Sequence, residues 1–388
     1  MTSAPIRARF ALPAVMLLGI AVFTVTDGTG NANRPATATA TPFVTPAPPA
    51  TATVTVPPPA AGCTRLVNLD ASGATDVTSS LQSFLNATRD GSTVCLAAGG
   101  QYRVDGMISL DGRTGLALDG QGARIFGTVR TNSPKLRLQL GADLVIRNLT
   151  IEGFNPEAGT SSAHELGWEH GHGIAVFGAQ RVTLAPNVTV RNVSGDGIYI
   201  TGSALPGGAF QWADSVTARG CRIERNGRMG VAVTDGARNV VIFGCVLDQI
   251  ALYVFDIEPN GHVFEGVAAG AENVRFSDNT VGTYGIDSDL TPWLFAGTGD
   301  GPQRNVEFSR NVVAGGALRI GVWNVAGSGR SEFRIVDNRS AVPAAGHTME
   351  FSGVDTLAVT GNTQPLSSGS LVSTSSCTNV VISDNITL

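Results

Sequence analysis

The sequence predicts an all-β chain wound into a parallel β-solenoid, and three observations carry that prediction. A short block recurs as "HGIAVFG" (172–178), "DGIYITG" (196–202), "MGVAVTD" (229–235), "YVFDIEP" (253–259), "YGIDSDL" (284–290), "ALRIGV" (317–322), "TMEFSG" (348–353) and "SLVST" (370–374). A second block interleaves with it and closes each time on Asn: "NVRFSDN" (273–279), "NVEFSRN" (305–311), "EFRIVDN" (332–338), "TLAVTGN" (356–362) and "NVVISDN" (379–385). Helical periodicity is almost absent from the 388 residues, and 48 Gly favour turns over helices. Two short period-2 strands per unit, at near-constant spacing, stack as coils about 4.8 Å apart. Equivalent positions then form ladders, apolar inside and Asn at the turns. A sandwich of hairpins would instead require tight turns between antiparallel neighbours.

Along the chain, residues 1–33 read as a targeting segment. Arg7 and Arg9 precede the apolar run Phe10–Val25, which is shorter than the roughly 20 residues of a membrane span. The run is either a cleaved signal peptide or a signal anchor attached to a membrane. Either way, the basic flank places the chain after Val25 outside the cytoplasm, secreted or held at the cell surface. Residues 34–62 are rich in Pro, Thr and Ala, cannot bury a core, and read as an extended disordered stalk. The folded domain is then 63–388. It opens with a helix over Asp76–Ala87, with Val77, Leu81, Phe84 and Leu85 on one face, laid over the first coil to cover its open edge. Cys63 and Cys95 bracket this segment and are expected to form a disulfide, as suits an oxidising compartment. Cys221 and Cys245 either bond or stack, and Cys377 is left over. A net charge of -5 gives no footing for a nucleic-acid partner.

The helix followed by "STVCLAAGGQYRV" (92–104), the "GDGIYI" coil (195–200) and the Asn-terminated strands resemble the right-handed parallel β-helix superfamily, also called pectate-lyase-like, over residues 64–388. The resemblance implies a single-stranded right-handed parallel β-helix. That superfamily includes polysaccharide lyases, glycoside hydrolases, uronan epimerases, phage tailspikes and non-catalytic surface proteins, so activity has to be argued from the site.

Aligning the first block on Ile174, Ile198, Val231, Phe255, Ile286, Leu318, Met349 and Leu371 as inward residues assigns the outward ones. One outward column holds Tyr199, Asp256, Asp287, Arg319 and Glu350. Two residues further on lie Glu258 and Asp289, and three positions before the first column lie His172, Asp196, Tyr253 and Tyr284. Asp256, Glu258, Asp287 and Asp289 would share a patch about 5 Å by 7 Å. Two unit charges there repel by about 3 kcal/mol at an effective dielectric near 20. A carboxyl that stays protonated, a Ca²⁺ bound among the four, or Arg319 at the edge would relieve this. Asp256, Glu258, Asp287, Asp289 and Arg319 are the expected catalytic group. Tyr199, Tyr253, Tyr284, Asp196, His172 and Glu350 are expected to bind substrate. Trp168, Trp212, Trp293 and Trp323, on the connections flanking the acidic strand, suit stacking on sugar rings.

"GHG" (171–173) resembles a motif of polygalacturonase-type hydrolases, where it follows rather than precedes the acids. "YGID" (284–287) resembles the start of a uronan epimerase motif, with Asp289 in place of His. The expected function is an extracytoplasmic carbohydrate-active enzyme that cleaves a polysaccharide, most simply a glycoside hydrolase using paired carboxylates. The rivals are a lyase or uronan epimerase that uses Ca²⁺, and a non-catalytic carbohydrate-binding or structural β-helix on the cell surface.

Overall fold

A computed structural model describes residues 63–65, 69–184, 186–264, 267–286, 293–324 and 328–388. The expected targeting segment and stalk, 1–33 and 34–62, lie outside them. Ten strands, one per coil, form a parallel sheet. They are β1 (Ile108–Ser109), β2 (Leu136–Gln139), β3 (Ile174–Phe177), β4 (Ile198–Thr201), β5 (Val231–Val233), β6 (Phe255–Ile257), β7 (Phe295–Gly297), β8 (Ile320–Trp323), β9 (Met349–Ser352) and β10 (Val372–Ser375). The Asn-terminated block forms a second parallel sheet, running through Ala271–Ser277, Gln303–Ser309, Arg330–Val336, Asp355–Thr360 and Thr378–Ser383.

Alternation sets which side chains face inward. Ile174, Ile198, Val231 and Phe255 stand in register and are fully buried. Phe255 stacks on Phe295, and Phe276 on Phe308, with centroids 5.6 Å and 5.1 Å apart. Each such side chain contributes roughly 1.5–3 kcal/mol by leaving water. The expected helix is α1 (Thr78–Ala87); its Leu81 and Leu85 join the core of the first coils. Cys63 and Cys95 are disulfide-bonded, tying the strand Cys63–Arg65 to its neighbour Thr93–Cys95.

The register departs from expectation at three coils. Phe255 pairs with Phe295 rather than Ile286, because "LFAG" (294–297) offers an aromatic to the inner stack whereas "IDSD" would turn Ser288 inward. Ile286 packs instead against a small apolar cluster formed by Ala163, Met229, Ala232, Ala251 and Leu252. Ile320, not Leu318, pairs with Met349. Both Leu318 and Ile320 are buried, so alternation alone could not choose between them. Val372, not Leu371, pairs with Met349 on the other side.

The Asn residues form an internal ladder. The Asn311 side-chain amide donates to Asn338 Oδ1 (2.9 Å) and to the Phe276 carbonyl (3.1 Å), and its Oδ1 accepts from the Asn279 backbone N–H (3.0 Å). The ladder extends through Asn362 to Asn385. In the other direction the Cys245 N–H donates to Asn279 Oδ1 (2.8 Å), and the Cys221 N–H to Cys245 Sγ (3.3 Å). These two cysteines are stacked free thiols that take the ladder position. Asn311→Ala would strand donors and acceptors at a site with no access to water. It is expected to cost about 3 kcal/mol in urea unfolding.

Candidate functional site

On the outward face of the ten-stranded sheet, Tyr199, Ala232, Asp256, Ala296, Gly321 and Glu350 stand in one column. Ala296 and Gly321 therefore occupy the rungs expected for Asp287 and Arg319. Asp287 and Asp289 lie outside the described residues. Arg319 stands one residue before β8 and contributes its backbone carbonyl, which accepts from the Leu294 N–H (2.7 Å). Tyr284 is buried and donates its hydroxyl to the Ala317 carbonyl. Burial raises its pKa, and the contact is that of an anchor rather than a proton carrier. Glu350 is three rungs from Asp256, about 14 Å away.

Four other groups meet. Arg228, in the turn before β5, directs its guanidinium at Asp196 (3.0 Å), Glu258 (3.2 Å) and Glu169 (3.4 Å). Asp196 is fully buried and also accepts the Met229 backbone N–H (3.0 Å). Burial pulls the Arg228 guanidinium down, but Asp196, Glu258, Asp256 and Glu169 outweigh it and hold the positive charge firmly. Asp256 is 1% exposed. Its Oδ1 accepts from the Thr298 hydroxyl (3.3 Å), and its Oδ2 has no hydrogen-bond partner among the described residues. Burial, and then the charge of Glu258, push the Asp256 carboxyl well above the ordinary carboxylate range. Burial also pushes Glu258 up, with Arg228 pulling back. The Glu258 side chain is 34% exposed, so of the two it is the one that can touch a ligand.

His172 lies flat against Tyr199, with ring centroids 4.5 Å apart, and its Nδ1 accepts the Asp196 backbone N–H (3.1 Å). Burial lowers its pKa from 6.5 to about 4, with Asp196 opposing, so the ring is neutral at pH 7. A group held neutral in this way contributes stability that is present above pH 6.5 and lost as pH falls towards 4. At about 1.4 kcal/mol per unit, that amounts to roughly 3 kcal/mol. Urea unfolding of His172→Gln at pH 7 and pH 4 should show a smaller loss on acidification than the parent chain shows.

The tryptophans divide. Trp293 and Trp323 meet edge to face, centroids 4.7 Å apart. Trp323 is the last residue of β8 rather than part of a connection, and its ring covers Gly321 so closely that a Cβ there would lie 2.1 Å from it. Trp168 sits in a short 3₁₀ turn under the Arg130 guanidinium, and Trp212 beside Phe210 and Arg238. Tyr253 is half-buried, and burial raises its pKa.

Among the described residues, no group of three or more His, Cys, Asp or Glu side chains is arranged to hold a metal. Arg228 supplies positive charge beside Glu258, one of the four acids where the sequence suggested Ca²⁺; two others, Asp287 and Asp289, lie outside the described residues. Sequence reasoning did not single out Arg228, Thr298 or Glu169 as members of this site. The signal for Arg228 was its place one residue before Met229, in the pre-strand column that already held His172 and Asp196. Among the described residues no helix is long and apolar enough to cross a membrane.

No curated protein matches the chain. Its fold is similar to that of ORF18 of Geobacillus virus E2 (14% identity, TM-score 0.55), covering 84% of this chain and 62% of that one, so it spans less than two thirds of the viral protein. It is similar also to an alginate lyase from Paenibacillus sp. str. FPU-7 (15% identity, TM-score 0.51, 79% of this chain and 97% of that one). A third similar structure is a polygalacturonase from Erwinia carotovora ssp. carotovora (15% identity, TM-score 0.51, 84% and 97%). At these identities the likeness is one of fold. The family model described as "Right handed beta helix region" matches residues 98–281 and 136–334, together more than half of the chain. With parallel coils, an internal Asn ladder and that match in agreement, the chain belongs to the right-handed β-helix family.

Proposed function

We propose that this β-helix is an extracytoplasmic carbohydrate-active enzyme that hydrolyses a polysaccharide, with Glu258 as the proton donor. The observation that carries this is Glu258, its side chain 34% exposed, beside the buried Asp256 two residues earlier on the same strand face, with burial raising both carboxyls. Raised proton affinity beside an exposed surface is what a general acid needs at neutral pH. Glu258 gives its proton to the glycosidic oxygen as the bond from that oxygen to the anomeric carbon breaks. Water attacks the anomeric carbon and loses its proton to Glu169, which the same guanidinium holds. Asp256, buried beside Glu258, acts on it through charge without touching the sugar.

The aromatic groups suit a glycan lying along the solenoid axis. Tyr199 stands two rungs to one side of Asp256, and Trp323, with Trp293 against it, two rungs to the other, about 19 Å apart in all. The Cys63–Cys95 disulfide and the basic-then-apolar N-terminus support a secreted or surface-held location. Two solved proteins of similar fold are, by name, an alginate lyase and a polygalacturonase. The test is a polysaccharide panel scored for new reducing ends and for the ultraviolet absorbance of an unsaturated product. Reducing ends without absorbance are expected. Absorbance would mean elimination, and binding with neither signal would mean a non-catalytic module.

A further inference from the structure

The charge around Glu258 narrows what can lie there. Four carboxyl groups, Asp196, Glu169, Glu258 and Asp256, surround the single guanidinium of Arg228. Even with Asp256 and Glu258 both protonated, Asp196 and Glu169 outnumber it by one. Three different carboxylates already stand against Arg228, at its Nε, Nη1 and Nη2, so its single positive charge is more than matched.

The other nearby basic groups are engaged elsewhere. Arg330, 1% exposed, donates to the Thr298 (2.8 Å) and Gly299 (2.6 Å) carbonyls, and His164 stands 3.4 Å from Glu169. Arg130 is paired with Glu165, Arg137 with Asp111, and Arg238 with Asp214. His262 is held by Asp235 (2.8 Å). Lys135, the chain's sole lysine, is buried and donates to the Val104 carbonyl (3.1 Å). Arg319 forms no ion pair among the described residues, but it stands one position before β8 while Glu258 stands one position after β6. That puts it about 13 Å along the strand direction and two rungs across. The stretches "DSDLTP" (287–292), "EG" (265–266) and "VAG" (325–327), outside the described residues, contain no basic residue in sequence.

We infer that the surface around Glu258 takes a polysaccharide without carboxylate groups, a neutral or amino-sugar glycan, and rejects uronans. This rests on the hydrolase reading of the same site and names its substrate class. A uronate carboxylate about 5 Å from one unneutralised acid is disfavoured by roughly a hundredfold in affinity at an effective dielectric near 20. The surfaces that remain for recognition are uncharged: the part of Tyr199 left open by the buried His172 stacked on it, and the Trp293–Trp323 corner. Such faces bind the apolar sides of sugar rings and need no counter-ion.

The experiment is native affinity electrophoresis at about pH 7.5, where carboxylates are ionised, with the full chain. The gels contain xylan, galactan, chitosan, alginate, polygalacturonate, and polygalacturonate whose carboxyls have been reduced to alcohols. Each glycan is assayed in parallel for reducing ends with the parent and Glu258→Gln proteins. Retardation by at least one uncharged or amino glycan is expected, with affinity for alginate and polygalacturonate at least a hundredfold weaker. If the polygalacturonate backbone is bound at all, only its reduced form should be. Tight binding of a native uronan overturns the substrate class. If that uronan also yields reducing ends that Glu258→Gln abolishes, the hydrolase reading survives alone. Binding of neutral glycans without reducing ends leaves the class standing and removes the catalysis. No retardation by any glycan overturns both.

Discussion

Glu258→Gln is expected to lower the turnover of glycan cleavage about a thousandfold, the usual worth of a positioned general acid. Gln keeps the shape of the side chain and an oxygen for the Arg228 N–H at 3.2 Å, so stability should stay within about 1 kcal/mol. Asp256→Asn is the informative companion. Asn mimics the protonated carboxyl that burial favours, so the variant should fold and keep partial activity, with the pH profile displaced because the charge of Asp256 no longer acts on Glu258. The folded pKa of Asp256 lies above its unfolded value, so the stability it contributes is present below about pH 4 and is lost as pH rises through the folded pKa. Asp256→Asn should therefore flatten that decline. Kinetics and urea unfolding from about pH 4 to about pH 9 check both points. A Glu258→Gln protein with parental turnover would remove Glu258 from the chemistry.

Arg228→Met should have the largest effect on stability, about 3–5 kcal/mol, because removing one member of a buried ion cluster leaves the others uncompensated. Asp196 would keep only the Met229 N–H, at a position with no exposure to water. Arg228→Lys is expected to recover only part of the loss. An ammonium is a point charge and cannot hold three carboxylates with the geometry of a planar fork. Thermal unfolding of both variants at pH 7 decides this. A loss below about 1 kcal/mol in Arg228→Met would place the cluster with ordinary surface ion pairs.

The repeat was legible because its signals are local and recur: alternating apolar residues, terminal Asn, and Gly before several of the strands. The first four coils of the aligned block fell into register for that reason, and with them His172, Asp196, Tyr199 and Asp256. The error came at the fifth coil, where the connection from Ile257 to Phe295 is longer than its neighbours and "YGIDSDL" imitates a strand. One wrong choice there made an acid appear to sit beside Asp256 where the structure has Ala296. At β8 the alternating run "LRIGVW" fits two registers shifted by one pair of residues, and only the pairing of Ile320 with Met349 separates them.

Sequence alone therefore determined the coiled architecture, the Cys63–Cys95 bond and the acidic character of the β6 face, because each depends on residues close in the chain or on a pattern repeated many times. The tertiary structure decided which charges meet. Arg228, Asp196, Glu169 and Glu258 come from four separate stretches, and their convergence depends on how each loop closes onto the next coil, a geometry that no local periodicity encodes.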